Sequence, residues 1–449
     1  MRTVGLGIIG LGTVGTGVVK ILHSRRAGIT ERVGGEVRVE RFCDKVVSSK
    51  PELGIRAGTV SRDYRELLAD PKVDVIVELV GGYEPARSII LEALKAGKHV
   101  VTANKAVLAK HWDEIIGSAQ KAGRLVYFEA AVGGGIPVIQ GLNEGLAANR
   151  IRRIVGILNG TTNFILSKMS EEGLAFDEAL KLAQASGFAE SDPTFDVQGI
   201  DSAHKLAVLS SIAYGGWVKL SDVYTEGITH VNPLDLELAR REFGYGLKLL
   251  GISAEHDGLI EARVHPAFLP LSHPFTTVKN EYNAIEIVGD ASGDVIFYGK
   301  GAGQMPAASA VVSDVIFLAR QVIEGTAGKL PTVTYDEHKK LRILDRKDFL
   351  SKYYLRFTTK DKPGVLSKIS GILGEEGVSI SSVYQPMVAD RESQRPKSVK
   401  GRPRTDPHAA HILLTTHSAP EGHIQKAVQE IDRLPTACAK TVCIRIEEP

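Results

Sequence analysis

Thr3-Val-Gly-Leu-Gly-Ile-Ile9, followed by Gly10-Leu11-Gly12-Thr13-Val14-Gly15, decides the first fold. The apolar run reads as a strand, and Thr13 to about His23 as an amphipathic helix. The glycines therefore fall in the strand–turn–helix context that a glycine-rich fingerprint requires. They permit a tight turn and let a pyrophosphate approach backbone N–H groups at the helix N-terminus. A dinucleotide site over Gly10, Leu11, Gly12, Thr13, Val14 and Gly15 is expected. A second strand, Glu36 to Phe42, follows a polar loop with Gly28, Gly34 and Gly35 and ends at Cys43-Asp44-Lys45. Asp44 would take the ribose hydroxyls of NAD, or Lys45 would pair with the 2′-phosphate of NADP. These residues leave both cofactors open.

Helix and strand then alternate. Helices are expected near Ser61 to Ala69, Pro85 to Ala96 and Ala106 to Ala122, and strands over Val73 to Leu79, His99 to Thr102 and Leu125 to Glu129. The pattern predicts an α/β, Rossmann-type doubly wound parallel sheet over 1–135, rejoined by a helix over 304–322. Ligands of such sheets bind beyond the carboxyl ends of the strands. Val80-Gly81-Gly82 and Thr102-Ala-Asn-Lys105 fall there, so Lys105 either enters the cleft or is a solvated surface lysine. Glu129 and the carbonyls of the Gly133-Gly134-Gly135 run form an all-oxygen set suited to a hard cation. A flexible hinge is the stronger reading of those residues taken alone.

From Pro137 the pattern changes to a helix reaching Ala148, a strand Ile151 to Leu158 and a helix-rich stretch, with strands again near Leu259 to Pro266 and Tyr282 to Val288. This predicts an α+β unit over 136–303. Within it lies Gly187-Phe-Ala-Glu190-Ser-Asp192-Pro-Thr-Phe-Asp196-Val-Gln-Gly-Ile-Asp201-Ser-Ala-His-Lys205. The helix expected from Ile200 to Ala213 is apolar nearly all round, hence buried. Asp201 and Lys205 are four apart and share one face. A buried ion pair is costly and has a structural or chemical reason. Three further acids on the same stretch favour a site, in which a lysine held among carboxylates carries a proton. His204 projects from another face and is read as structural. Gly301 and Gly303 precede the helix from Pro306, whose N-terminus favours an anion.

Residues 323–352 read as a linker, and 353–449 as a βαββαβ unit with sheet edges open to a second copy. Residues 386–408 are basic and poor in apolar side chains, which predicts a mobile loop and not a nucleic-acid arm. The net charge of +2 in 449 residues calls for no nucleic acid, and 43% apolar with 24% charged residues is ordinary globular composition. Three cysteines make no disulfide framework. No apolar run reaches membrane-spanning length, and glycines interrupt the N-terminal apolar stretch that imitates a leader. A cytoplasmic protein is expected.

Three further motifs carry a resemblance: Gly156-Ile-Leu-Asn-Gly-Thr161-Thr-Asn-Phe164, Asp192-Pro-x-x-Asp196-x-x-Gly-x-Asp201-x-x-x-Lys205, and Asp361-Lys-Pro-Gly-Val-Leu366. With the glycine turn and Thr102-Ala-Asn-Lys105, they resemble homoserine dehydrogenase in the form with a C-terminal ACT domain. The resemblance implies NAD- or NADP-linked interconversion of L-aspartate 4-semialdehyde and L-homoserine in threonine, methionine and isoleucine biosynthesis. It implies Lys205 as proton donor, with Lys105 assisting and Asp201 beside them. Substrate would meet Glu190, Asp196, Asp201 and Thr161; Gly187, Gly303 and Lys105 would lie near the cofactor. Glu129, with the carbonyls of Val132, Gly134 and Ile136, would hold sodium or another monovalent cation. The ACT unit implies threonine as effector and a homodimer or homotetramer. Cys43 stands where such proteins often carry arginine, which leaves cofactor choice open. A related reductase of another amino-acid-derived carbonyl, or a non-catalytic amino-acid sensor, are the rival readings.

Overall fold

The computed structural model describes residues 2–386 and 409–448, so the basic loop read over 386–408 lies, apart from Pro386, outside the described residues. Six parallel strands form the first sheet: β1 (Thr3–Ile9), β2 (Glu36–Cys43), β3 (Val60–Ser61), β4 (Val75–Glu78), β5 (His99–Thr102) and β6 (Val126–Tyr127), in the order β3-β2-β1-β4-β5-β6. The apolar runs of β1, β4 and β5 follow from burial on both faces, whereas β2 carries four charged residues and is mostly half-buried. Val4, Leu6, Ile8, Val75 and Val77 pack on one side with helices Thr13–Ser24 and Gln304–Glu324. Ile9, Ile76 and Val100 pack on the other with Ala86–Lys95 and Lys105–Ala122. By length and composition alone Gln304–Glu324 is apolar enough to cross a membrane. Here Ala308, Val311, Val315 and Leu318 are part of the sheet's core.

The polar loop expected before β2 is instead a helix, Arg26–Val33, with Ile29 and Val33 buried and left-handed Gly34 ending it. The helix expected near Ser61 begins later, at Arg65, because β3 occupies Val60–Ser61. The helix expected from Pro137 to Ala148 is one turn, Val138–Gln140, passing into a π-helical turn over Gly141–Gly145. Two glycines in that turn weaken a regular helix.

The second sheet is mixed. Its strands are β7 (Ile151–Ile157), β8 (Tyr224–Thr225), β9 (Tyr245–His256), β10 (Leu259–Pro270), β11 (Tyr282–Gly289), β12 (Gly293–Lys300), β13 (Arg342–Ile343), β14 (Leu350–Lys360), β15 (Ile380–Tyr384), β16 (Ala409–Thr416), β17 (Ala419–Pro420) and β18 (Val442–Ile446). The main path is β12-β11-β7-β9-β10-β18-β14-β16-β15. The helices Gly160–Glu172 and Ile200–Tyr214 are packed into the same core as this sheet.

The C-terminal unit keeps βαββαβ order: β14, helix Val365–Glu375, β15, β16, helix Glu421–Ile431, β18. One of its two open edges is used inside the chain. β18 runs parallel to β10, pairing Arg445 with Ala267 and Ile446 with Phe268. The stretch before it is fastened too: Val333 is buried, and the Tyr335 hydroxyl donates to Asp113 at 2.5 Å. Two arginine–carboxylate forks close the junction. Arg356 donates to both oxygens of Asp235, at 2.5 and 2.9 Å. Arg263 on β10 donates to both oxygens of Glu447, at 2.7 and 3.2 Å.

Asp235 is fully buried and Arg356 nearly so. Removing one partner strands the other charge in the core, a loss of about 3–5 kcal/mol. Asp235→Ala is expected to lower unfolding free energy by that order in urea titration. A paired Asp235→Leu/Arg356→Met variant is expected to recover most of it. Equal stability of Asp235→Ala and the parent chain would show that the fork carries no such load.

Candidate active site

The buried helix Ile200–Tyr214 places Asp201 in its first turn and Lys205 one turn later. Asp201 is 3% exposed and its two oxygens serve different lysines. Oδ2 lies 2.7 Å from Lys205 Nζ, and Oδ1 lies 2.7 Å from Lys105 Nζ. Burial pushes the Asp201 carboxyl up, but the two ammonium groups outweigh it and hold the group well below its ordinary value. The lysines diverge. Burial lowers Lys205, and Asp201 only partly restores it. Lys105, partly exposed, is desolvated less decisively; Asp201, Asp196 and Glu190 raise it above its ordinary value.

Lys105 does not sit where helix electrostatics alone would put it. Lys105 opens the helix Lys105–Ala122, where a cation opposes the dipole. A hydrogen-bonded chain fixes that start. Thr102 Oγ1 donates to the fully buried Glu78 at 2.6 Å, the Asn104 N–H donates to Thr102 Oγ1 at 3.0 Å, and Asn104 Nδ2 donates to the Gly82 carbonyl at 2.7 Å. Lys205 Nζ donates to the Leu158 carbonyl at 2.6 Å, at the end of the strand from which the Gly160–Glu172 helix starts.

Asn159 caps that helix, accepting from Thr162 N–H at 2.8 Å. Its amide donates to Asp196 at 2.7 Å and to Asp201 at 2.8 Å, so it joins the two acids. Asp196 is raised by burial and by Asp201 beside it. Thr161 Oγ1 donates to the Phe188 carbonyl at 2.6 Å, just after left-handed Gly187, and also reaches Asp196. Glu190 is exposed on the rim and acts on Lys105 through space. His204, fully buried, accepts at Nε2 from the Tyr83 hydroxyl, 3.0 Å away, and donates from Nδ1 to the Ile200 carbonyl at 2.8 Å. Asn159 and Glu78 were not singled out from the sequence. Asn159 before Gly-Thr-Thr carried a readable cap signal; Glu78, inside an apolar strand, carried a buried-acid signal.

The glycine turn faces a cleft of about 440 Å³ lined by Gly10, Gly12, Asp44, Lys45 and Arg62. Gly10 has φ +102°, and a Cβ there would lie 2.7 Å from the Leu79 oxygen; one on Gly15 would lie 2.0 Å from the Gly10 oxygen. A Cβ on Gly12 would meet nothing within 4 Å, so the turn is open on its outer side, where a pyrophosphate fits. Asp44 Oδ2 accepts from Leu11 N–H at 2.6 Å, and Oδ1 accepts from Val46 and Val47 at 2.8 and 2.9 Å. Burial pushes its carboxyl up, and these N–H groups more than reverse that. Arg62, also missed from the sequence, donates to the Asp44 carbonyl at 3.1 Å beside Lys45. Gly303, at φ +118°, caps the helix Gln304–Glu324.

Glu129 is buried, and burial raises its carboxyl to about 7. Its oxygens accept from Ile139 N–H at 2.9 Å and Gln140 N–H at 2.7 Å, and its own N–H donates to Asp314 at 2.8 Å. Among the described residues the carbonyls of Val132 and Gly134 accept no hydrogen bond, whereas that of Ile136 accepts from Val138 at 2.8 Å.

The family model described as homoserine dehydrogenase matches residues 137–316, its NAD-binding domain model matches 10–129, and the ACT domain model matches 353–385. The chain is 41% identical to the homoserine dehydrogenase of Neisseria gonorrhoeae, over 100% of this chain and 99% of that one. The crystal structure of a homoserine dehydrogenase from Thiobacillus denitrificans superposes with a TM-score of 0.91 at 40% identity, covering 100% of this chain and 99% of that one. A hyperthermophilic archaeal homoserine dehydrogenase in complex with NADPH matches at a TM-score of 0.59 and 28% identity, covering 70% of this chain and 97% of that one. With an NAD-binding sheet, a mixed catalytic sheet and an ACT unit in one chain, this protein belongs to the homoserine dehydrogenase family of oxidoreductases.

Proposed function

We propose that the protein interconverts L-aspartate 4-semialdehyde and L-homoserine, with Lys205 moving the proton. The observation that carries this reading is that two lysines bound to the one Asp201 carboxylate differ in proton affinity, the more deeply buried Lys205 lowered and Lys105 raised. A donor must yield its proton near working pH. Lys205, lowered by burial, fits that role; Lys105, raised, stays cationic and holds the developing alkoxide or the substrate carboxylate. On this reading Glu190 and Asp196, with Thr161, hold the substrate ammonium. When bound, the nicotinamide supplies or accepts the hydride. Gly10 to Gly15 would hold its pyrophosphate, with Gly187 and Gly303 lining its path.

Cofactor choice is read at the open end of the cleft. Lys45 and Arg62 lie together there, and Asp44 is already committed to backbone N–H groups. This favours NADP, and the archaeal relative solved with NADPH is consistent with it. The oxygen set at Glu129, Val132, Gly134 and Ile136 is read as a sodium site, supported by the unused carbonyls of Val132 and Gly134. The C-terminal unit is read as a threonine-sensing ACT domain of a homodimer or homotetramer, placing the enzyme in threonine, methionine and isoleucine biosynthesis. Its remaining free edge among the described residues, β15, suits pairing with a second copy. Units are assigned to 1–135 with 304–322, 136–303, 323–352 and 353–449.

Lys205→Ala is expected to lower turnover by roughly 10²- to 10⁴-fold while cofactor binding persists. Lys205→Arg keeps the ion pair but cannot give up a proton near neutrality. It should therefore fold normally and be similarly slow. Near-parent turnover in the arginine variant would reduce Lys205 to a structural cation.

Lys45→Ala and Arg62→Ala are each expected to raise KM for NADP by about tenfold or more, the size of one lost charge-assisted hydrogen bond, and to leave KM for NAD nearly unchanged. Equal effects on both cofactors would remove these residues from 2′-phosphate recognition. In the same assay, replacing sodium by a bulky organic cation at constant ionic strength should lower activity, and millimolar L-threonine should inhibit the full-length chain. Indifference to either sinks that part of the reading.

A further inference from the structure

A second cavity, of about 660 Å³, lies apart from the dinucleotide cleft. Its walls come from the helix Gly160–Glu172, the start of β9, Arg240 on the helix Pro233–Phe243, and the loop 271–279. Lys248 lines it and is only 5% exposed. The Lys248 ammonium donates to Asn163 Oδ1 at 2.9 Å and to the Val278 carbonyl. Both acceptors are neutral, and among the described residues Lys248 forms no ion pair. Most buried cations elsewhere in this chain have a carboxylate: Lys205 has Asp201, Arg263 has Glu447, and Arg356 has Asp235.

A buried charge without a counter-charge is disfavoured unless something pairs with it. Burial lowers the Lys248 ammonium to about 8; Glu171 partly offsets this and Lys279 adds to it. Glu171 does not fill the gap, because it is committed to Lys279 at 2.7 Å. Lys279 and Arg240 add two more cations to the lining. The opening is therefore net positive, with one buried ammonium at its wall. Asn163 belongs to the Gly156–Phe164 motif but plays no part at Asp201; its amide instead donates to the carbonyls of Val278, Asn280 and Tyr282, and so holds the loop that forms the cavity.

We propose that this cavity binds a small anion bearing a carboxylate or phosphate group, with Lys248 as its buried counter-charge and Lys279 and Arg240 at the rim. The site is distinct from the aldehyde and nucleotide sites. Asn163 lies one helical turn beyond Asn159, so the ligand would rest against the same helix that positions Asp196 and Asp201.

The test uses the full chain saturated with NADP, so that the nucleotide cleft is occupied. Inorganic phosphate and acetate are titrated at constant ionic strength against chloride, with binding read by calorimetry. Saturable binding of at least one is expected, weakened tenfold or more in Lys248→Met. Because Lys248→Met disturbs a buried position, Lys279→Ala at the exposed rim serves as the second variant and is expected to weaken binding about threefold. Phosphate binding without acetate binding would assign a phosphate ligand, and the reverse a carboxylate. No saturable binding of either anion, or binding unchanged in both variants, overturns the proposal.

Discussion

One carboxylate, Asp201, is shared by two lysines brought from different parts of the chain. Lys105 arrives from the loop after β5 of the parallel sheet, and Lys205 from the helix packed on the mixed sheet. Each ammonium lies 2.7 Å from its own carboxylate oxygen. Separating the two sheets would leave Asp201 buried against a single cation, and burial alone drives it toward protonation. Asp201 is thus a point at which the two sheets are joined by charge. Glu78, Thr102 and Asn104 on one side, and Asn159 and Leu158 on the other, keep the lysines at that distance.

The C-terminal unit is joined to this arrangement through backbone pairing and buried arginine forks, not through an extended tether. β10 is the common element. It pairs with β18 at one end, and Val264 along it lies 3.2 Å from where a Cβ on Gly199 would stand, at the cap of the Asp201 helix. A half-broken arginine fork at this junction would leave a buried charge unpaired.

Much of this was legible in the chain because the governing periods are local. The strand–glycine–helix order at Thr3 to Gly15 reports a turn that only glycine fits, and Asp201 with Lys205 reports one buried helix face. β9 does not declare itself in the sequence because Leu247 to Ala254 is buried along its whole length, with Lys248 and Ser253 among apolar residues in no regular alternation, and a strand buried on both faces looks like a buried helix segment at that length. The helix Arg26–Val33 reads as loop in the sequence because only Ile29 and Val33 are buried, too few to show a helical stripe. Arg62 and Lys248 are single cations whose meaning depends on what the fold brings beside them. No periodicity reports that Lys248 lacks a carboxylate among the described residues, or that Arg62 meets Lys45.

Stability alone does not explain the ion cluster. Replacing a buried ion pair by well-packed apolar side chains of similar volume is often neutral or stabilising. The helix Ile200–Tyr214 is otherwise apolar enough to pack without Asp201 and Lys205, and Lys105 opposes the dipole of the helix it begins. What the charges add is a difference between two chemically identical ammonium groups. Burial lowers Lys205 more than Asp201 restores it, while at Lys105 burial lowers the group and the surrounding acids more than reverse that. Two titratable groups whose environments push their proton affinities apart define an acid–base assignment. Under the proposed role of Lys205 as proton donor, an apolar pair at 201 and 205 would erase that difference, and the cost of the buried charges would be met by chemistry at the cleft.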